Sequence, residues 1–149
     1  MPDEGESKLF SLTEAERLRA QLEPVLIEAM EARRKMIEPE KKLAALAERI
    51  QVSGGMQVPY EKAAKWRAIR TKFESSVRDA LERIQSTGCI VKDLDVGLLD
   101  FPSRIDNQDV FLCWKLGEDR IRFYHAQDEG FAGRKPIDPL DTGRDKPIQ

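Results

Sequence analysis

Asp109-Val110-Phe111-Leu112-Cys113-Trp114-Lys115-Leu116-Gly117-Glu118-Asp119-Arg120-Ile121-Arg122-Phe123-Tyr124-His125 is the stretch on which the fold turns. Two runs rich in β-branched and aromatic residues flank Gly117-Glu118-Asp119, a compact turn by composition, so the stretch predicts a β-hairpin. Pairing Leu116 with Ile121 sets Trp114 opposite Phe123 and Leu112 opposite His125 on one face. On the other face Cys113 then meets Tyr124, and Lys115 meets Arg122. A two-stranded ribbon is not stable alone, so helices or further strands must cover it. Upstream, Cys89-Ile90-Val91 and Leu98–Phe101 are short β-prone runs, the second closed by Pro102.

Before Gly88 the period is helical. Ser11 and Glu14 form a capping box, with Phe10 and Ala15 as its hydrophobic staple. Ala15, Leu18, Leu22, Val25, Ala29, Ala32, Met36, Leu43, Leu46 and Ile50 then keep a heptad spacing, and Pro39 fills the missing position. The flanking positions are mostly charged or polar, the pattern of a helix packed along a narrow seam. Pro24 and Pro39 each remove an amide donor and crowd the carbonyl four residues back. The heptad phase survives both, which favours one bent, semi-continuous helix over a full break near Glu38–Pro39. Val52-Ser53-Gly54-Gly55-Met56-Gln57-Val58-Pro59 reads as a loop. A second helix runs from about Tyr60 to Thr87, with Ala63, Trp66, Ile69, Phe73, Val77, Ala80 and Ile84 on one face and Gly88 as its stop.

The expected fold is therefore α+β: a long kinked antiparallel helical hairpin, coiled-coil-like, followed by a small antiparallel β-sheet module. Residues 1–10 read as a disordered tail, 11–87 as the hairpin, 88–137 as the β module packed on the helices and 138–149 as an extended tail. At 149 residues and 40% hydrophobic content the chain can build one modest core. The charged fraction of 35% suits long exposed helix faces. A net charge of −2 argues against a protein that holds nucleic acid by bulk charge. Within the basic run, Lys62, Lys65 and Lys72 fall on one flank of the apolar face and Arg67 and Arg70 on the other, as snorkelling side chains do. No apolar run would span a bilayer, and the acidic start is unlike a secretory signal, so a cytoplasmic protein without membrane or nucleic-acid partners is expected. Cys89 and Cys113 read as core thiols.

The chemistry-bearing residues gather in the second half. Asp100 precedes Phe101-Pro102, Glu118 sits in the hairpin turn, and His125 stands near Asp128 and Glu129. Gly130-Phe131-Ala132-Gly133-Arg134 is a glycine-containing loop that ends in a cation able to clamp a carboxylate or phosphate. Asp100, Glu118, His125 and Arg134 are thus the candidate ligand-binding residues. Arg134 paired with Asp100 or Glu118 in an ordinary turn is the plainer reading. No catalytic residue is assigned. With Cys113 and His125 on opposite faces of the hairpin, no metal site and no cofactor are expected.

Gly97-Leu98-Leu99-Asp100-Phe101-Pro102, Leu112-Cys113-Trp114-Lys115-Leu116-Gly117-Glu118, His125 and Gly130-Phe131-Ala132-Gly133-Arg134 together resemble a bacterial family catalogued as domain of unknown function 2203. Phe10-Ser11-Leu12 and the run Gly88 to Asp95 look similar too, so the resemblance covers most of the chain. It implies a helical N-terminal part and a small β part, and no activity. Tyr124 stands where the family pattern leads one to expect Trp. A non-enzymatic interaction or adaptor protein that self-associates as a homodimer through its helices is the leading expectation, with a further protein partner allowed. The alternative is a small anionic-ligand-binding protein or small enzyme with its site in the β module.

Overall fold

The computed structural model describes residues 8–52 and 59–137. The first seven residues, most of the Gly-Gly loop and the tail from Asp138 lie outside them. Helix α1, Leu12–Arg34, opens on the expected box: the Ser11 hydroxyl accepts the Glu14 amide at 3.1 Å, and the Glu14 carboxylate accepts the Ser11 amide at 2.9 Å. Phe10, read from sequence as the end of a tail, is buried and meets the Phe101 ring edge-on, with centroids 5.7 Å apart.

The chain continues helical through Pro24 and pauses only at Lys35-Met36 before α2, Ile37–Val52. The pause has a simple cause. The Pro39 ring crowds the carbonyl four residues back, which belongs to Lys35. Met36 turns its amide to the Arg33 carbonyl at 3.1 Å, and Glu40 resumes regular spacing with Met36. Pro39 itself falls in the first turn of α2, where a missing amide costs least. Residues 12–52 are thus one long bent helix, as the surviving heptad phase indicates. Helix α3, Tyr60–Gln85, ends before Gly88, whose φ of 97° is the left-handed conformation of a helix stop. None of these helices is long and apolar enough to cross a membrane.

Five strands follow in a fully antiparallel meander of order β1-β2-β3-β4-β5. They are β1 Ile90–Asp93, β2 Leu98–Ile105, β3 Gln108–Lys115, β4 Phe123–Ala126 and β5 Lys135–Pro136. The α+β class stands.

Two details differ from the sequence reading. First, β2 does not stop at Pro102 but runs on to Ile105, and a two-residue turn, Asp106-Asn107, returns it to β3. Both turn residues have positive φ, 51° and 65°, the requirement of the tight hairpin turn whose twist matches the strands. Pro102 is tolerated because its missing donor faces away from β3. Its carbonyl, on that same side, accepts the Phe10 amide at 2.7 Å. The Ser103 hydroxyl donates to the Phe10 carbonyl at 2.6 Å and completes the clasp.

Second, β3 and β4 pair one residue out of the expected register. Phe111 faces His125, Leu112 faces Tyr124 and Cys113 faces Phe123. Ile121 does not pair with Leu116. Its amide donates to the Glu16 carboxylate of α1 at 2.8 Å, and Leu116 donates to the Gly97 carbonyl at 2.9 Å. The connection is consequently longer than three residues. With a side-chain period of two, a slip of one residue moves His125 to the other face.

The described residues divide into two compact units, one drawn from Met1–Ile27 with Leu81–Gln149, the other Glu28–Ala80. In the sheet unit one face carries Leu99, Phe101, Val110, Leu112 and Trp114, all buried. The Arg19 guanidinium lies 5.4 Å from the Trp114 ring, and the Trp114 indole donates to the Glu118 carbonyl at 2.9 Å. The helical unit is an antiparallel hairpin: Lys35 lies over Phe73 at 5.6 Å and Lys42 over Trp66 at 5.9 Å. Lys65 and Lys72, from the basic run, also lie over these two rings.

Candidate functional site

The opposite face of the sheet carries Leu98, Asp100, Phe111, Cys113, Phe123 and His125. Asp100 on β2 stands directly across from Cys113 on β3, and the slipped register brings His125 on β4 to the same face. Asp100 and His125 are 2% and 1% exposed. His125 Nε2 is 3.2 Å from both Asp100 carboxylate oxygens, and Nδ1–H donates to the Ala126 carbonyl at 2.8 Å. Ligand atoms of Asp100, Cys113 and His125 all lie within 4.8 Å of one another. The expected separation of Cys113 from His125 is therefore corrected, and with it the argument that kept those donors apart.

The other two candidates form a second pair beside the first. Arg134 clamps Glu118 through two parallel hydrogen bonds, Nη1 to Oε1 at 3.1 Å and Nη2 to Oε2 at 2.9 Å. Its guanidinium carbon sits 4.0 Å from the Phe123 centroid and 4.2 Å from that of Phe131, so the cation lies between two rings. Phe131–Gly133 forms a single 3-10 turn. That turn is the loop in which the sequence places an anion clamp, and its cation is already taken by Glu118. Glu118 is held in turn, because Oε1 also accepts the Lys115 amide at 2.8 Å. Arg134 Nη1 reaches within 4.0 Å of Cys113 Sγ. The four residues chosen from sequence thus meet as two pairs, with Cys113 between them. Cys113 is the member the sequence reading set aside, because the expected register placed it on the opposite face from His125, and that register depends on the length of the connection.

Electrostatics limit what this arrangement can do. Burial raises the Asp100 carboxyl above the ordinary carboxylate range, against the pull of His125. Burial and the neighbouring Asp100 charge push the Cys113 thiol up to about 11. Such a thiol is protonated at neutral pH and is a poor nucleophile. Burial likewise raises the other core thiol, Cys89. The polar groups are mutually satisfied: among the described residues no buried side-chain nitrogen or oxygen lacks a hydrogen-bond partner. The arrangement can hold a proton or a cation, but a substrate cannot reach the Asp100–His125 pair in this conformation.

Open space lies elsewhere in the sheet unit. A cleft of about 770 Å³ is lined by Leu12, Glu16, Arg17, Arg120, Ile121 and Phe123 among others, and by none of the four candidate residues.

A family model described as "Uncharacterized conserved protein (DUF2203)" matches residues 8–137. No curated protein and no solved structure matches the chain.

Proposed function

The chain belongs to the DUF2203 family of uncharacterised conserved proteins, and from its helical unit we propose that it is a non-enzymatic interaction protein that self-associates as a homodimer. One observation carries this reading. The apolar seam of Glu28–Ala80 is not fully covered within one chain: Leu43, Ile50, Trp66, Ile69, Phe73 and Val77 all remain partly exposed. A helical hairpin buries one side of such a seam, and two hairpins side by side give the four-helix arrangement in which a seam closes. A second copy is the natural occupant, because a two-fold interface needs only one self-complementary patch. Lysines 35, 42, 65 and 72 lie over the two aromatic rings and would frame the interface as snorkelling side chains.

The alternative of an anionic ligand at Asp100, Glu118, His125 and Arg134 has less support, since Arg134 is already neutralised by Glu118 and the other pair is sealed. Light scattering behind size exclusion decides the main proposal. The full chain should elute at twice 17.0 kDa, and Phe73→Glu should return it to 17.0 kDa with its sheet intact. A wild-type mass of 17.0 kDa at every concentration contradicts the proposal.

A further inference from the structure

We propose that Asp100, Cys113 and His125 form a zinc site at the centre of the sheet. The three donors come from three adjacent strands, β2, β3 and β4, and point to one face. Two ligands on a tetrahedral zinc are roughly 3.3–3.8 Å apart, given bonds of about 2.0–2.3 Å. Donor atoms that all lie within 4.8 Å, with the Asp100–His125 separation at 3.2 Å, need only small rotamer adjustments to reach that spacing.

The orientation of His125 is an independent observation. Ligating histidines characteristically donate their second ring N–H to a carbonyl or carboxylate, which fixes the tautomer and aims the lone pair at the metal. The Ala126 carbonyl holds Nδ1–H at 2.8 Å, so Nε2 is the nitrogen aimed at Asp100 and Cys113.

Charge balance makes the exchange feasible in so closed a place. Zinc binding displaces the Cys113 proton to solvent, together with any proton shared by Asp100 and His125. A dication held by one carboxylate, one thiolate and one neutral imidazole is neutral, so the bound site carries no net charge in the sheet interior. Arg134, 4.0 Å from the sulfur and itself paired with Glu118, favours the thiolate. The donor set selects the metal: calcium and magnesium take oxygen ligands, copper(I) takes soft sulfur, and a mixed sulfur, nitrogen and oxygen set suits zinc.

The test uses the full chain, freed of metal by a chelator. Zinc is offered in competition with a chromophoric chelator, once to the folded protein and once during refolding, so that slow entry cannot hide a site. Cobalt(II) in place of zinc serves as the optical probe. One metal per chain and a thiolate-to-cobalt charge-transfer band are expected. Cys113→Ser should lose the band and weaken zinc at least tenfold while its far-ultraviolet dichroism stays native, and His125→Asn should weaken zinc similarly. Cys89→Ser should keep the band. Absence of stoichiometric metal in both regimes overturns the proposal and leaves the triad as a satisfied polar core. A band that follows Cys89 instead of Cys113 overturns it as well.

Discussion

In the sheet unit Leu99, Phe101, Leu112 and Trp114 are sealed from solvent by their own chain, and even Asp100 and His125 lie inside with partners. In the helical unit Trp66, Ile69, Phe73 and Val77 stay partly exposed along α3, and the residues fully covered are mostly small, such as Ala29, Ala32, Ala63 and Ala80. Both units follow a regular apolar period, so pattern alone does not distinguish them. What differs is the number of layers. The sheet has cover on both faces, from α1 and Phe10 on one side and from the Phe131–Arg134 segment on the other. The hairpin has one layer of contact and leaves the larger residues of its seam partly exposed. A complete core suits a structural or metal-bearing part, and an incomplete one suits a part that meets another protein.

The sharpest way to break the comparison is at Trp114. Its ring packs beneath Arg19, and its indole N–H bonds the Glu118 carbonyl. Truncation of a buried aromatic costs about 3–5 kcal/mol, a large share of the roughly 5–15 kcal/mol that holds a domain. Trp114→Ala should therefore lower the denaturant midpoint severely. The corresponding change at Phe73, partly exposed on α3, should cost the monomer less. Equal losses at the two positions would remove the distinction between the units.

A smaller effect is expected at Arg134. The sequence offers it either as a ligand clamp or, more plainly, as a partner of Asp100 or Glu118 in a turn. The structure places it between Phe123 and Phe131 and in a bidentate pair with Glu118, so Arg134→Ala should cost about 1.5–3 kcal/mol in a urea melt. A variant that melts like wild type would mean that the clamp is solvated and weak.

These positions also mark what the sequence could and could not reveal. Helix starts and stops were legible because they depend on nearby residues: Ser11 with Glu14, Gly88 after α3, and the pause caused by Pro39. The heptad positions that read as core are largely buried, Ala15, Leu22, Ala29, Met36 and Leu46 among them. The β3–β4 register was not legible, because it is set by distant partners: Glu16 captures the Ile121 amide and Gly97 the Leu116 amide. That single slip reversed the reading of Cys113 and His125. The Asp106-Asn107 turn carried a usable signal, two residues tolerant of positive φ between β-prone runs, but Pro102 masked the strand leading into it. Arg134 with Glu118 was legible as a possible pair; the ring on each side of the cation was not.

The smallest expected effect lies at the entry to α1. The hydrogen bond from the Ser11 backbone amide holds the Glu14 carboxyl below its ordinary value of 4.5, against the opposing effect of burial. Because the folded value is the lower one, the stability it contributes is present above the unfolded value and fades as pH falls through the folded value. Glu14→Gln should cost about 0.5–1 kcal/mol at neutral pH, and the gap to wild type should narrow once the pH drops below 4.5. A gap that stays constant down to acid conditions would mean that the carboxylate charge plays no part in the cap.

Hydrogen exchange measured as a function of protein concentration tests most directly whether one unit is complete and the other is not. If the helical unit is closed by a second copy, amide protection across α2 and α3 rises with concentration while that of β2 and β3 stays constant. Protection in α2 and α3 that is high and independent of concentration, matching the sheet, would contradict the account.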